Sequence, residues 1–259
     1  MRKILKLIKI FIKLNLQKDL IYTFNAFFSL LSASAYLLTF LLSLKYVFNY
    51  IPTVLGFSYD QLFTMVVLAQ TWWFSNMIIV RKNFQYITRS INNGMLDFLL
   101  IKPVKFRILV PFLQFDFRHL LPWILSIVLI CPKVIALPIT ILQVVGAIFF
   151  FFNGILITYS ITSIFTSLNF WVSRNTAIFD ITMEMPDLIK LPLEFFPGVL
   201  KIIFTVFFPI TVMLNPTVQI LYGKFTPSFL LSAFLINVVL FLISELVWRQ
   251  GLKNYSSAG

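Results

Sequence analysis

One cysteine and one histidine, Cys131 and His119, occur in 259 residues. A lone cysteine excludes an intramolecular disulfide and a thiolate metal cage, and a lone histidine excludes a histidine cluster. No metal site is therefore expected. Acidic side chains are scarce as well, nine against 21 Lys and Arg. Glycine is rare, and the phosphate cradle of an ATPase, G-x-x-x-x-G-K-[ST], is missing. The only Gly-Lys pair, Gly223 and Lys224, is followed by Phe225 and has Val218 where the first glycine belongs. No Ser-His-Asp arrangement presents itself either, since His119 has Asp116 and Arg118 beside it but no nucleophile. The chain reads as no enzyme, with no catalytic or cofactor-binding residues; an intramembrane protease or acyltransferase is the minor alternative.

What the chain does have is apolar surface. Hydrophobic residues make up 59% of it, 31 of the side chains are Phe, and the mean hydropathy is +0.93. Its apolar runs exceed the roughly 20 residues that cross about 30 Å of hydrocarbon, so the fold class is an all-α membrane protein of several helices. The net charge of +12 would suggest nucleic acid in a soluble domain. Here the cations lie in blocks between the apolar runs, which is the positive-inside pattern instead. Arg2, Lys3, Lys6, Lys9, Lys13 and Lys18 form the first block; Arg81, Lys82, Arg89, Lys102, Lys105 and Arg107 form the second.

The first block has no uninterrupted apolar core of the signal-peptide kind. Residues 1–19 read as an amphipathic interfacial helix, with Ile4, Leu7, Ile8, Phe11 and either Leu14 or Ile12 on one side. Spans follow at about 20–44, 60–80, 108–130, 139–168 and 229–247. The segment 169–227 has two readings. In one, 177–196 is a cytoplasmic loop and the fifth span is a short run at 199–214. In the other, 177–196 is the fifth span, and 197–227 forms two short outer re-entrant helices, broken at Pro209 and at Asn215-Pro216. Both give six spans and put both termini on one side. Under the second, fifteen cations lie on the side of the termini and four, Lys45, Lys133, Lys201 and Lys224, on the other. The termini, including the tail 248–259, are therefore expected in the cytoplasm.

The loop 81–107 is long for a connection. Phe84, Ile87 and Ile91 share one helical face, with Arg89 elsewhere, and Gly94 ends the helix where a left-handed residue is wanted. A second apolar segment carries Asp97 and stops at Lys102-Pro103. Taken alone, the pattern fits a solvated anchor helix as well as a docking helix.

The run Gly94 to Pro103, Gly-Met-Leu-Asp-Phe-Leu-Leu-Ile-Lys-Pro, closely resembles a stretch in one group of ABC-2 type transporter permeases. Phe170, Trp171 and Arg174 are similar to that family's residues after the fourth span. Phe196 to Leu200 with Asn215, Pro216 and Thr217 looks like its outer gate. The ending Trp248-Arg249, Gly251-Leu252 and Tyr255 to Gly259 resembles its C-terminus. The matches keep the family's order along the chain, although an acidic fifth span, with Asp180, Glu184 and Asp187, departs from it. The resemblance implies six spans with an interfacial N-terminal helix, the architecture of a type V exporter, and it favours the re-entrant reading. It implies a bacterial inner-membrane permease that moves an amphiphilic or hydrophobic substrate outward, paired with a second permease, identical or paralogous. ATP and Mg would be held by a cytoplasmic ATPase dimer, docked on the coupling residues Phe84, Ile87, Arg89, Ile91, Gly94, Asp97, Lys102 and Pro103. The outer gate would comprise Pro197, Gly198, Pro209, Asn215 and Pro216. The alternative is a membrane anchor or immunity-type protein that binds a partner and moves nothing.

Polar groups within the spans are the remaining candidates for a path. They are Gln70 and Asn76 on the second span, Asp116, Arg118 and His119 on the third, and the stripe Asp180, Glu184 and Asp187. Asp116, Arg118 and His119 read either as headgroup-level residues or as a cluster that holds the inner mouth closed. The small and hydroxyl residues around Gly146 and Gly154 read first as a packing face.

Overall fold

The computed structural model describes residues 2–21, 23–102, 106–172, 189–207 and 209–255. Helix α1 (Arg2–Leu20) lies before the bundle, followed by α2 (Thr23–Phe48). Then come α3 (Tyr59–Asn92), the short α4 (Asp97–Leu100), α5 (Phe106–Leu113), α6 (Phe117–Ile135) and α7 (Ile141–Phe170). Helices α8 (Gly198–Ile202), α9 (Ile210–Leu221) and α10 (Pro227–Asn254) complete it, and no strand occurs among the described residues. The fold is all-α. Five helices are long and apolar enough to span a membrane, or six if the bent pair ending in α9 counts as one. The stripe Asp180, Glu184 and Asp187, with Arg174 and Pro103, lies outside the described residues.

Helix α1 turns Leu7, Ile8, Phe11 and Ile12 partly inward and leaves Lys6, Lys9 and Lys13 exposed, with Leu14 on the outer side. Its buried Asn15 is a polar contact that the apolar pattern did not indicate.

The second span differs from expectation. Instead of ending near Val80 and passing into a loop, α3 runs unbroken for 34 residues. No Gly or Pro interrupts 59–92, and a π-turn at Met77–Arg81 admits the extra residue. Phe84, Ile87 and Ile91 thus extend the buried stripe of the span. The helix ends in a Schellman motif: Gly94 takes φ 67°, and the Met95 N–H reaches the Ser90 carbonyl at 2.8 Å.

The third span is broken where a continuous run was expected. Helix α5 stops at Leu113, and α6 begins with a 3-10 turn at Phe117–His119 capped by Asp116. Pro111 within α5 cannot donate to the Arg107 carbonyl. The Tyr159 hydroxyl donates there instead, at 3.3 Å.

Helix α7 starts at a capping box of Thr140 and Gln143 and packs on α9 and α10. A β-carbon on Gly154 would overlap the Met213 carbonyl, so the glycine lets the two backbones meet. That packing carries α9 straight through Pro216, against the expected break at Asn215-Pro216. The break at Pro209 is present, with a 91° bend between the helices either side of it. Helix α10 continues past Val247 to Asn254, so the segment taken as a polar tail is in large part helix.

Candidate functional site

Two polar junctions and one aromatic cluster join the ends of these helices. The first is built around the break between α5 and α6, which orphans backbone groups that would have been paired within a helix. Four of them find partners elsewhere in the chain. The Asn15 amide donates to the Leu113 carbonyl at 3.1 Å, and the Gln114 N–H donates to Asn83 Oδ1 at 2.7 Å. The Asp116 N–H reaches the carbonyl of Ile78, within the π-turn, at 3.3 Å, and the Phe117 N–H donates to Asp19 Oδ2 at 2.9 Å. The interfacial helix, the π-turn and the break are one construction.

Asp116 is its centre, 2% exposed. Arg118 holds it bidentately, with Nε at 2.9 Å and Nη2 at 2.8 Å. Lys82 Nζ stands 3.0 Å from Asp116 and 3.4 Å from Asp19, and His119 Nδ1 lies 3.4 Å from Asp116 Oδ2. Three basic side chains, Arg118, Lys82 and His119, surround this one buried carboxyl group. Of the expected path residues, Asp116, Arg118 and His119 are thus brought together. Gln70 and Asn76 are enclosed in the bundle of this chain, and the Asn76 amide donates to the Trp72 carbonyl at 2.8 Å.

The second junction was not anticipated. Arg107 Nη1 donates to Ser163 of α7, Nη2 donates to Ser244 of α10 at 2.7 Å, and Nε lies 3.1 Å from Glu245. The only hint in the sequence is Pro111, four residues on, which frees the carbonyl that Tyr159 takes up. Deeper in the bundle, the Asn237 amide donates to Asn153 Oδ1 at 2.6 Å and ties α10 to α7.

The aromatic cluster unites three segments distant in sequence. Trp248 stacks on Phe106 with ring centroids 5.1 Å apart and planes at 11°. Phe170 packs edge-on to Trp248 and Tyr255, in the space that any side chain on Gly251 would need. The Tyr255 hydroxyl accepts the Leu96 N–H at 3.1 Å. The turn after Gly94 is therefore braced by the C-terminal helix.

The coupling residues divide in a way their pattern did not indicate. Phe84, Ile87 and Ile91 face inward, with the Phe84 ring 5.1 Å from that of Tyr159, so they offer no surface to a partner. This corrects the expected docking face: the chain itself covers it. Arg89 is exposed, Asp97 opens α4, and Lys102 Nζ lies 4.4 Å over the Phe11 ring of α1. The exposed apolar groups here are Met95, Phe98 and Ile101. Of the gate residues, Pro197 and Gly198 are exposed, whereas Pro209, Asn215 and Pro216 are buried.

Fold and junctions together define a multi-pass helical membrane protein whose spans are tied to one another by polar contacts near their ends. The chain belongs to the ABC-2 family of transporters: the family described as "ABC-2 family transporter protein" matches residues 34–259. It is thus a permease component of an ABC transporter, the transport rather than the catalytic part of such a system. Comparison with curated proteins and with solved structures gives no match.

Proposed function

We propose that this permease is the membrane subunit of a bacterial exporter, moving an amphiphilic or hydrophobic substrate outward with energy from separate cytoplasmic ATPase subunits. Two permeases, identical or paralogous, face each other across the path, and both termini of this chain are cytoplasmic. The observation that carries the reading is the patch of Met95, Phe98 and Ile101, 48%, 69% and 76% exposed, on a turn braced by Tyr255. Large apolar side chains held outward by a rigid support belong to a protein interface. Their place within the second block of cations, on the side that the positive-inside pattern makes cytoplasmic, favours an ATPase over lipid as the partner.

The test is copurification and coupling. The chain, extracted from native membranes, retains an ATPase. Phe98→Ala combined with Ile101→Asp lowers substrate-stimulated ATP hydrolysis at least tenfold while membrane insertion is unchanged. Full coupling in that variant, or no associated ATPase, would leave the chain as an anchor.

A further inference from the structure

Helix α1 has more faces than its sequence suggested. The apolar side expected to lie in the membrane interface is turned partly onto the protein, with Leu7, Ile8, Phe11 and Ile12 half-buried where α1 packs on α5 and on the start of α6. Asn15 and Asp19 are engaged there too, by the Leu113 carbonyl, Lys82 and the Phe117 N–H. What remains outward is a second amphipathic surface. Lys6, Lys9 and Lys13 follow one another at i, i+3 and i+7 along an exposed stripe, and Ile10 and Leu14, 44% and 56% exposed, form the adjoining row. Asp19 is the only acid in α1, and no acid from another element pairs with these three lysines among the described residues. Connectivity fixes the depth of the surface. Helix α1 ends at Leu20 and α2, which carries the apolar span Phe27–Phe48, begins at Thr23, so the stripe lies at the edge of the hydrocarbon.

We infer that this face of α1 binds the headgroups of anionic phospholipid, so that the permease responds to the lipid charge of the leaflet in which its N-terminus lies. A phospholipid matches the surface twice, with its phosphate against the lysines and its acyl chain against Ile10 and Leu14. An acidic protein partner matches only the lysines. The effect reaches beyond the helix, because Asn15 and Asp19 fasten its inner side to the broken third span and to Lys82. Lipid held on the outer side of α1 therefore steadies that junction, and anionic lipid raises the melting midpoint of the chain where zwitterionic lipid does not.

The experiment places a fluorophore on α1 and asks which lipid reaches it. In a Cys131→Ser background, Gln17→Cys, an exposed position on the same side, is labelled. The full-length chain is then reconstituted in phosphatidylcholine vesicles containing doxyl-labelled phosphatidylglycerol or doxyl-labelled phosphatidylcholine, without ATPase or nucleotide. Phosphatidylglycerol quenches at a mole fraction at least about tenfold lower, since each lysine near an anionic headgroup is worth about fivefold in affinity. The two curves converge when Lys6→Gln, Lys9→Gln and Lys13→Gln are combined, and they converge for the unsubstituted stripe in about 1 M salt. Arg249→Gln with Lys253→Gln, which removes two cations from the C-terminal end of α10, leaves the curves apart. Ile10→Ser with Leu14→Ser weakens quenching by both lipids and preserves their ratio. If the triple variant fails to reconstitute, Lys13→Gln alone is read and narrows the gap about fivefold. Equal quenching by the two lipids with the stripe intact overturns the site, as does a preference that survives loss of the three lysines or is lost equally in the α10 variant. A triple variant that keeps its lipid preference but no longer copurifies with an ATPase overturns it too, and assigns the stripe to protein. Because neither ATPase nor nucleotide is present in the quenching assay, failure there leaves the export reading standing.

Discussion

Lys82 reaches two carboxylates at once, Asp116 at 3.0 Å and Asp19 at 3.4 Å, and so fastens the interfacial helix to the broken third span through the end of the second. Movement of any one of these three elements strains the other two. The junction is therefore placed to pass a displacement of the Gly94 turn, at the end of α3, into α1 and α6.

Removing the central charge isolates its partners. Asp116→Asn leaves Lys82 and Arg118 facing a neutral amide and costs about 3–5 kcal/mol, the scale of a broken buried ion pair. The loss is read as a lowered melting midpoint in detergent. An unchanged midpoint in Asp116→Asn would show that this carboxylate does not hold the junction together.

Tyr159→Phe removes the donor that satisfies the Arg107 carbonyl, at a cost of about 1–2 kcal/mol. Pro111→Ala restores a backbone N–H four residues after that carbonyl. In a double-mutant cycle the second change therefore recovers most of the loss from the first. Additive losses would mean that the hydroxyl serves another purpose.

At the C-terminal end, Gly251→Ala forces the Phe170 ring aside and destabilises the cluster by about 1–3 kcal/mol. Limited proteolysis near Met95 should accelerate in this variant, because Tyr255 no longer braces the Leu96 N–H. An unchanged cleavage rate there would separate the cluster from the turn.

The outer helices give an accessibility contrast. With Cys131→Ser as background, Gly198→Cys reacts with an impermeant thiol reagent added from outside. Thr217→Cys, 2% exposed in wild type, reacts at least tenfold more slowly. Labelling of Gly198→Cys from the cytoplasm alone would invert the assigned topology.

The long apolar runs of α2, α7 and α10 were legible because about 20 consecutive apolar residues have few other uses. The break at Gln114–Asp116 was not, because its partners, the side chains of Asn15, Asp19 and Asn83 and the Ile78 carbonyl, lie far away in sequence, and neither short polar side chains nor a backbone carbonyl has a periodic signature. The π-turn has no Gly or Pro to mark it. The pattern of Phe84, Ile87 and Ile91 fits a solvated anchor helix or a docking helix alike, because helical periodicity marks an apolar face and not which chain covers it. Phe170, Gly251 and Tyr255 stood out only through family resemblance; their contact required coordinates.

Helix α3 carries Thr64, Gln70, Thr71, Ser75 and Asn76 into the interior of the bundle, where most of its residues are buried. The Thr71 hydroxyl meets Ser126 at 2.9 Å, and Ser75 accepts the Trp123 indole N–H at 2.9 Å, both from α6. Of the neighbours that pack on it, α2 precedes it, whereas α6, α7 and α9 come later in the chain. During synthesis, α3 must therefore enter the membrane while its amides and hydroxyls are still uncovered, and it is held by its flanking charges until the later helices emerge. The helix inserted second is among the last to reach its final surroundings, so truncation after α3 or slowed translation of α6 exposes it to quality-control proteases.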